Sequence, residues 1–442
     1  MPESLGMKIN ATGWEKLAAI RNDYVIHQIE NFVNICKPVK VTILNESIED
    51  IKYVRKLAIT TGEESPLKLE GHTVHFDGYY DLARDKSSTK VLTPPGMQLS
   101  RDINRIERET GLKEVLGLLE GAMKEKEMLV KFYSLGPSNS KFTIGTLQIS
   151  DSPYVINSED ILYRQGYEYF KSIKESNNFY TFIHSAGELN ELKVTKNVDK
   201  RRIYIDLIDG KVYSVNNQYA GNSVGLKKLA LRLAIYKANH EDWLAEHMLI
   251  TGVKPYDKNR ITYFTGAYPS ACGKTSTAMI PGHTIVGDDI AYLKVDEEGN
   301  CKAVNIECGI FGIIQDVNPK DDPLIFKSLT TKRELIFSNV LINDGKPYWL
   351  GMGLEDIPDR GINFSGEWYK GKKDKQGIEI PFAHSNARYT MSLKELENVD
   401  SRYNDPNGLV IKGIFYGVLR NSSCNSYSFA VRDEISRQKS NY

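Results

Sequence analysis

The stretch Tyr268-Pro-Ser-Ala-Cys-Gly-Lys-Thr-Ser276, followed soon after by Val286-Gly-Asp-Asp-Ile290, decides how this chain is read. The first reads as a turn that opens a helix. A strand, Arg260-Ile-Thr-Tyr-Phe-Thr265, runs into Gly266 ahead of it. Pro269, Ser270, Ala271 and Gly273 are small or conformationally special, so backbone N–H groups there can converge on phosphate oxygens. The Lys274 ammonium would then meet the β- and γ-phosphates and the Thr275 hydroxyl a metal. The spacing is unusual, because a standard P-loop has Gly where this chain has Tyr268. A lone Gly-Lys-Thr arises often by chance. The strand Thr284-Ile-Val286 ending in Gly287-Asp288-Asp289 strengthens the reading, since it supplies the acidic metal ligands that the turn lacks. Most paired Asp are solvated turns; here the pair follows a phosphate-type turn.

At 442 residues the chain exceeds one ordinary core, so two domains or lobes are expected. The formal net charge is zero, which gives no footprint for nucleic acid or an anionic membrane. No apolar run approaches a membrane span, and Met1 to Asn10 lacks a signal-peptide layout. The cysteines, Cys36, Cys272, Cys301, Cys308 and Cys424, form no Cys-x-x-Cys pair. That scattered set suits a reducing cytoplasm and argues against a structural zinc site.

Periodicity predicts one amphipathic helix over Thr12 to Cys36, with Trp14, Ala18, Val25, Ile29, Phe32 and Cys36 on a stripe broken only by Arg21. Val39 to Leu44 reads as a strand. Ile103 to Lys126 reads as a second helical region interrupted near Gly111. Short strands follow at Val130–Tyr133, Phe142–Leu147 and Arg202–Asp206, then a helix over Gly225 to Asn239. There is no internal repeat and no long linker. The chain is expected to divide near residue 250 into two closely packed lobes.

Pro269-Ser-Ala-Cys-Gly-Lys-Thr275 with Val286-Gly-Asp-Asp-Ile-Ala291 resembles phosphoenolpyruvate carboxykinase of the GTP-type class. Further strings agree in the same order: Gln148-Ile-Ser-Asp-Ser-Pro-Tyr-Val155, Tyr219-Ala-Gly-Asn-Ser223, Trp243-Leu-Ala-Glu-His-Met-Leu-Ile250 and Ser385-Asn-Ala-Arg388. The resemblance covers about residues 75 to 420. It implies an α/β, two-lobed phosphoenolpyruvate carboxykinase-like fold. Residues 1–250 would form a mixed-sheet, substrate-binding N-terminal lobe. Residues 251–442 would form a P-loop-containing nucleotide- and metal-binding lobe, incomplete at its C-terminus.

The resemblance also implies the site. His247, Asp289 and a lysine correspond to the family's Mn²⁺ ligands, with Thr275 toward a second metal, Mg²⁺, on the nucleotide. The chain is one residue shorter than the family pattern between Ser223 and Ala230. Counting back from His247 without a gap selects Lys227; a gap inside the helix would select Lys228. Lys227 is favoured because loops absorb deletions more easily than helices. By its residues alone, His247 in an apolar stretch would be a core histidine. Arg84, in Asp81-Leu-Ala-Arg84, resembles the residue that grips substrate carboxylate, a task for which a bidentate guanidinium is suited. Tyr219, Gly221, Ser270, Asn386 and Arg388 would line the substrate pocket. Ala271, Cys272, Gly273, Lys274, Thr275, Ser276, Asp288 and Arg420 would hold the nucleotide. Lys274 and Arg388 would act on the transferring phosphoryl group. Cys272, beside Lys274 at a helix start, is expected to be a reactive thiol without a chemical role in turnover.

Two departures stand out. The family's Gly-Gly-Arg-Arg-Pro motif survives only as Phe415-Tyr-Gly-Val-Leu-Arg-Asn421, where Gly417 and Arg420 retain part of it. The family also continues past this motif into a base-binding clamp and a lid, whereas this sequence ends at Tyr442. The expectation is a monomeric cytoplasmic enzyme that takes oxaloacetate and GTP to phosphoenolpyruvate, CO₂ and GDP, without nucleic-acid or membrane partners. Two alternatives stay open: another P-loop phosphotransferase acting on a small acid, and a truncated, non-catalytic relative that binds nucleotide, anion or metal.

Overall fold

Strands Glu127–Leu135 and Ile144–Ser150 are buried along almost their whole length, so the sheet they centre must be covered on both faces. The computed structural model describes residues 3–6, 8–268, 274–418 and 426–430. In it these strands belong to a mixed sheet with the order Lys40–Ile43, Glu127–Leu135, Ile144–Ser150, Phe179–Ser185, Lys211–Val215, Arg202–Asp206, Thr89–Thr93 and Arg105–Glu107. Adjacent residues of one strand enter different cores. Phe182 packs with the Pro153–Leu162 and Lys228–Glu241 helices on one face, and Ile183 with the Asp23–Cys36 and Arg108–Leu119 helices on the other.

The second large sheet runs Leu244–Glu246, Ala291–Val295, Cys301–Asn305, Leu409–Val418, Thr262–Ala267, Leu249–Val253 and Thr284–Gly287. Its central pair, Thr262–Ala267 and Leu409–Val418, is parallel, and the first strand runs directly to Tyr268. A third sheet joins distant parts of the chain: His72–His75 pairs in parallel with Leu335–Ser338, which pairs in turn with Arg388–Ser392. One core contains Val91, Phe182 and Leu229 together with Ile290, Tyr292, Phe311 and Ile336. The two halves therefore share a hydrophobic core. This is a mixed α/β, two-lobed architecture.

Several expected elements differ. The helix expected over Thr12 to Cys36 is two helices, Ala11–Ile20 and Asp23–Cys36. Arg21 takes a left-handed conformation at φ 53°, and its N–H closes the first helix on Ala18. Asn22 then caps the second by accepting from the Val25 N–H at 3.1 Å, while its own amide donates to the Ser176 carbonyl at 2.8 Å. A tertiary anchor thus breaks a continuous apolar pattern. The stripe shifts with it: Leu17 is buried and Ala18 exposed. Gly111 does not interrupt its helix, Arg108–Leu119. A Cβ there would overlap Leu92 and Ile106, so the glycine permits close packing on the sheet. The helix expected from Gly225 starts at Lys228 and ends at Glu241.

Candidate active site

Gly287 ends the Thr284–Gly287 strand and lets Asn305 pack directly against the backbone, because a Cβ there would collide with the Asn305 amide. The chain then turns, and Asp288 and Asp289 follow, both buried. Buried carboxylates need partners, and Asp289 has three nitrogen neighbours. Its Oδ1 lies 2.6 Å from His247 Nε2 and accepts a hydrogen bond from Lys274; its Oδ2 lies 3.4 Å from Lys227 Nζ. Lys274 Nζ is also 2.7 Å from His247 Nε2. Burial works against the Asp289 charge, but Lys227, Lys274 and His247 outweigh it and hold the carboxyl well below its usual range. Burial together with the Lys274 and Lys228 charges keeps the His247 imidazole neutral-leaning against the pull of Asp289.

His247 Nε2 and Asp289 Oδ1 are two lone-pair donors aimed at one point, and an ammonium sits against both. That donor set suits a divalent cation, with imidazole and carboxylate as ligands. Among the described residues no three His, Cys, Asp or Glu side chains gather as metal ligands.

The two candidate lysines differ. Lys227 is buried and pairs with Glu307 at 2.8 Å as well as with Asp289. Burial opposes its charge, but Glu307 and Asp289 win and push it up to about 12. Lys228, the first residue of its helix, is lowered to about 8 by burial and by Arg84, Lys274 and Lys227, against the pull of Asp289. A lysine donates to a metal only as the free amine. The ion pair of Lys227 with Glu307 therefore weighs toward the other placement of the one-residue gap. Glu307 was invisible in the sequence reading. It is fully buried, receives the Tyr163 hydroxyl at 3.2 Å, and its Oε2 has no hydrogen-bond partner.

The anion-gripping side is built on Asp81. Its Oδ2 accepts the Gln218 and Tyr219 N–H groups at 2.6 and 3.1 Å, and its Oδ1 takes Arg201 Nη1 at 2.6 Å. Arg201 also holds Asp85 through Nε and Nη2 at 2.9 and 2.6 Å. Asn222 pins the same loop, accepting from the Asp85 N–H at 3.1 Å and donating to the Ala83 carbonyl at 3.1 Å. Arg84 lies between these anchors, exposed, and the acid that acts on its charge is Asp289. Gly221 lies in the short helix Ala220–Ser223, where a Cβ would overlap the Tyr219 ring.

Tyr219 leads to the remaining residues. Its hydroxyl accepts from Asn386 Nδ2 at 2.9 Å, and Asn386 Oδ1 accepts from Arg388 Nε and Nη2 at 3.1 and 2.8 Å. The Arg388 guanidinium lies 5.0 Å from the centre of the Phe311 ring, and the Lys227 ammonium 5.8 Å from it. Phe311 is thus a shared aromatic platform for two cations, and nothing in its local sequence marks it. Ahead of the phosphate-type turn, Tyr268 is buried, and a Cβ at either Gly266 or Gly417 would meet its ring. Lys274 and Ser276 lie in the Lys274–Ala278 helix, with Ser276 exposed. Ser270, Ala271, Cys272, Gly273 and Arg420, and the side chain of Thr275, lie outside the described residues.

Fold and site together define a two-lobed α/β protein whose cleft gathers cations around an acidic pair, next to the start of a short helix. Residues 27–239 match the phosphoenolpyruvate carboxykinase N-terminal domain, and residues 243–431 the phosphoenolpyruvate carboxykinase C-terminal P-loop domain. The phosphoenolpyruvate carboxykinase (GTP) of Pyrococcus abyssi is 53% identical over 405 residues, covering 91% of this chain and 65% of that protein. That of Sulfurisphaera tokodaii is 47% identical over 405 residues, covering 91% and 63%. That of Anaeromyxobacter dehalogenans is 33% identical over 416 residues, covering 91% and 67%. The chain belongs to the GTP-type phosphoenolpyruvate carboxykinase family. It spans about 65% of the length of its Pyrococcus relative. Among the described residues no helix is long and apolar enough to cross a membrane.

Proposed function

We propose that the protein converts oxaloacetate and GTP to phosphoenolpyruvate, CO₂ and GDP, as the names of its relatives suggest, in a cytoplasmic and monomeric form. The convergence of His247, Lys274 and Lys227 on Asp289 carries the reading. His247 and Asp289 would hold Mn²⁺, and Lys228 suits the third place better than Lys227. When bound, that metal supplies Lewis-acid stabilisation of negative charge on substrate oxygen. Residues 1–250 would bind the substrate and residues 251–442 the nucleotide and its Mg²⁺.

Arg84 grips a substrate carboxylate, held in place by the Asn222 and Arg201 contacts to its loop. Tyr219 and Asn386 set the position of Arg388, which faces the phosphoryl group in transfer. Lys274 exchanges its contacts with Asp289 and His247 for nucleotide phosphate, and so places a positive charge where the transition state gains negative charge. The segment from Ala271 to Gly273, with Thr275, Ser276, Asp288 and Arg420, completes the nucleotide side, and Ser270 lines the substrate pocket.

The test is direct. The purified chain is supplied with oxaloacetate, GTP, Mn²⁺ and Mg²⁺, and phosphoenolpyruvate is measured. Phosphoenolpyruvate formation that depends on all three of oxaloacetate, GTP and metal is the expected result. GTP consumption driven by another small acid, with none driven by oxaloacetate, sinks the reading and leaves a different phosphotransferase.

A further inference from the structure

The third sheet brings together the two segments that carry Arg84 and Arg388. In its register, Ser338 sits between His75 on one neighbouring strand and Arg388 on the other. Asn339 follows directly, where the strands part. It is fully buried and takes a left-handed conformation at φ 62°, which asparagine adopts more readily than most residues. Its N–H donates to the His75 carbonyl at 3.3 Å, and its carbonyl accepts the His384 N–H at 3.1 Å. Its side chain forms a reciprocal pair with buried Asp77: Oδ1 accepts the Asp77 N–H at 3.1 Å, and Nδ2 donates to Asp77 Oδ2 at 2.7 Å. The other Asp77 oxygen lies 3.1 Å from His75 Nε2, and that ring is stacked on Tyr154. The two segments meet again further on. His384 Nδ1 accepts the Asn386 N–H at 3.0 Å, and Asn386 Nδ2 donates to the Leu82 carbonyl at 2.8 Å. Hydrogen bonds thus run from Asp77 through Asn339, His384 and Asn386 to Leu82, and the chain from Leu82 back to Asp77 closes a ring. Arg84 leaves this ring just after Leu82, and Arg388 just after Asn386.

A side-chain amide offers an acceptor and a donor together, and the Asp77 N–H and carboxylate require both. A carboxylate at position 339 would face Asp77 with like charge. An apolar side chain would leave two buried Asp77 groups short of a partner. We propose that Asn339 is a positioning residue: it clamps the segment that carries Arg84 to the segment that carries Asn386 and Arg388, and so sets the spacing of the two arginines. The proposal rests on the carboxykinase reading for the roles of those arginines. A substrate held by Arg84 and acted on beside Arg388 feels the clamp in binding and in turnover together.

The experiment uses three variants of the whole chain. Asn339→Gly keeps the left-handed backbone and removes the clamp. Asp77→Ala removes it from the other side. Asp77→Asn keeps an acceptor for the Asn339 amide. In the carboxykinase assay both clamp-free variants should lose about ten- to a hundredfold in kcat, the scale of a small misplacement at a reacting centre. Their oxaloacetate KM should rise as well, with the GTP KM unchanged. A protein that is merely less folded loses kcat alone. Asp77→Asn should recover most of the loss, and the Asn339→Gly, Asp77→Ala double variant should be no worse than either single. In amide hydrogen exchange, segments 77–85 and 384–388 should both speed up in the clamp-free variants, while strand Glu127–Leu135 keeps its protection. An unchanged oxaloacetate KM in Asn339→Gly overturns the proposal, as does an additive loss in the double variant. Faster exchange in one segment alone also overturns it. If neither clamp-free variant folds, Asn339 serves the fold only, and the proposal is overturned. Failure of the carboxykinase reading would show instead as no phosphoenolpyruvate from the native chain, and the paired exchange would still decide whether Asn339 clamps the two segments.

Discussion

Arg201 and Arg84 border the same loop and do opposite things. Arg201 is nearly buried and spends its guanidinium on Asp81 and Asp85, three hydrogen bonds of 2.6 to 2.9 Å. Arg84 has no acidic partner among the described residues and is exposed. A charge with fixed partners holds the fold; a charge held in place without partners stores the capacity to bind. The contrast recurs on the lysines. Lys227 is locked onto Glu307, whereas Lys228 is crowded by Arg84, Lys274 and Lys227 and drifts toward the neutral amine. In each case the residue that serves the scaffold places the one that serves the site.

The largest effect should come where the two roles merge. Asp289 is the common counter-charge of Lys227, Lys274 and His247. Asp289→Asn leaves two ammonium groups and an imidazole facing one another in a buried centre. Breaking a buried ion cluster in this way should cost about 3–5 kcal/mol of stability, read from urea unfolding, and Mn²⁺ binding followed by electron paramagnetic resonance should be lost. Retained stability would show that Asp289 is not the anchor of the cleft.

Next comes the arginine pair itself. Arg201→Gln strips Asp81 and Asp85 of their partner and should cost about 3 kcal/mol of stability, from the loss of charge-assisted hydrogen bonds. Arg84→Lys should leave stability within about 0.5 kcal/mol, yet weaken oxaloacetate by about 1.5–3 kcal/mol while nucleotide affinity holds. If both variants lose stability equally, the division between scaffold and site is wrong at this loop.

How much of this could be read from the sequence follows the same division. His247, Asp289, Asn386 and Arg388 sit in strings that mark them, and the structure brings His247 to Asp289 and Asn386 to Arg388. Glu307, Arg201 and Phe311 have no such marks. Each acts on a residue far away in the chain: Glu307 on Lys227, Arg201 on Asp81, Phe311 on Arg388. The break at Arg21 was illegible for a related reason. Arginine has no preference for the left-handed region, and the contact that fixes Asn22 comes from Ser176. Strand Arg202–Asp206, with local apolar alternation and a tight return through Gly210, was read with its observed bounds.

The scaffold side can be tested by pH. Burial raises Glu63 from 4.5 to about 7, with Asp151 adding to the rise against the Ser152 hydrogen bond and His75. Between those values the folded chain keeps a proton that the unfolded chain has released. Stability should therefore fall as pH rises through this window and level off above it. Glu63→Gln keeps an acceptor for the Ser152 hydroxyl and cannot ionise. It should flatten the slope between pH 4.5 and 7 and be more stable than the native chain at pH 8 by about 3 kcal/mol. An unchanged slope would mean that Glu63 is ionised in the folded state.

The smallest effect concerns the aromatic platform, and it tests whether a neutral residue can belong to the site. Phe311 packs beside Tyr219 with ring centres 6.0 Å apart and lies under both Arg388 and Lys227. Phe311→Leu keeps the site apolar and close to native volume, so the stability loss should stay below about 1.5 kcal/mol. What it removes is the negative ring face. A cation–π contact of this kind contributes about 0.5–1 kcal/mol at partly exposed sites, a two- to five-fold change in an equilibrium. Because Arg388 is the cation nearer the ring, the loss should appear as a two- to five-fold lower kcat with little change in nucleotide affinity. Phe311→Tyr, which keeps the ring face, should behave like the native chain. If the leucine and tyrosine variants turn over alike, the ring only fills space, and the cations are placed by Asn386 and Glu307 alone.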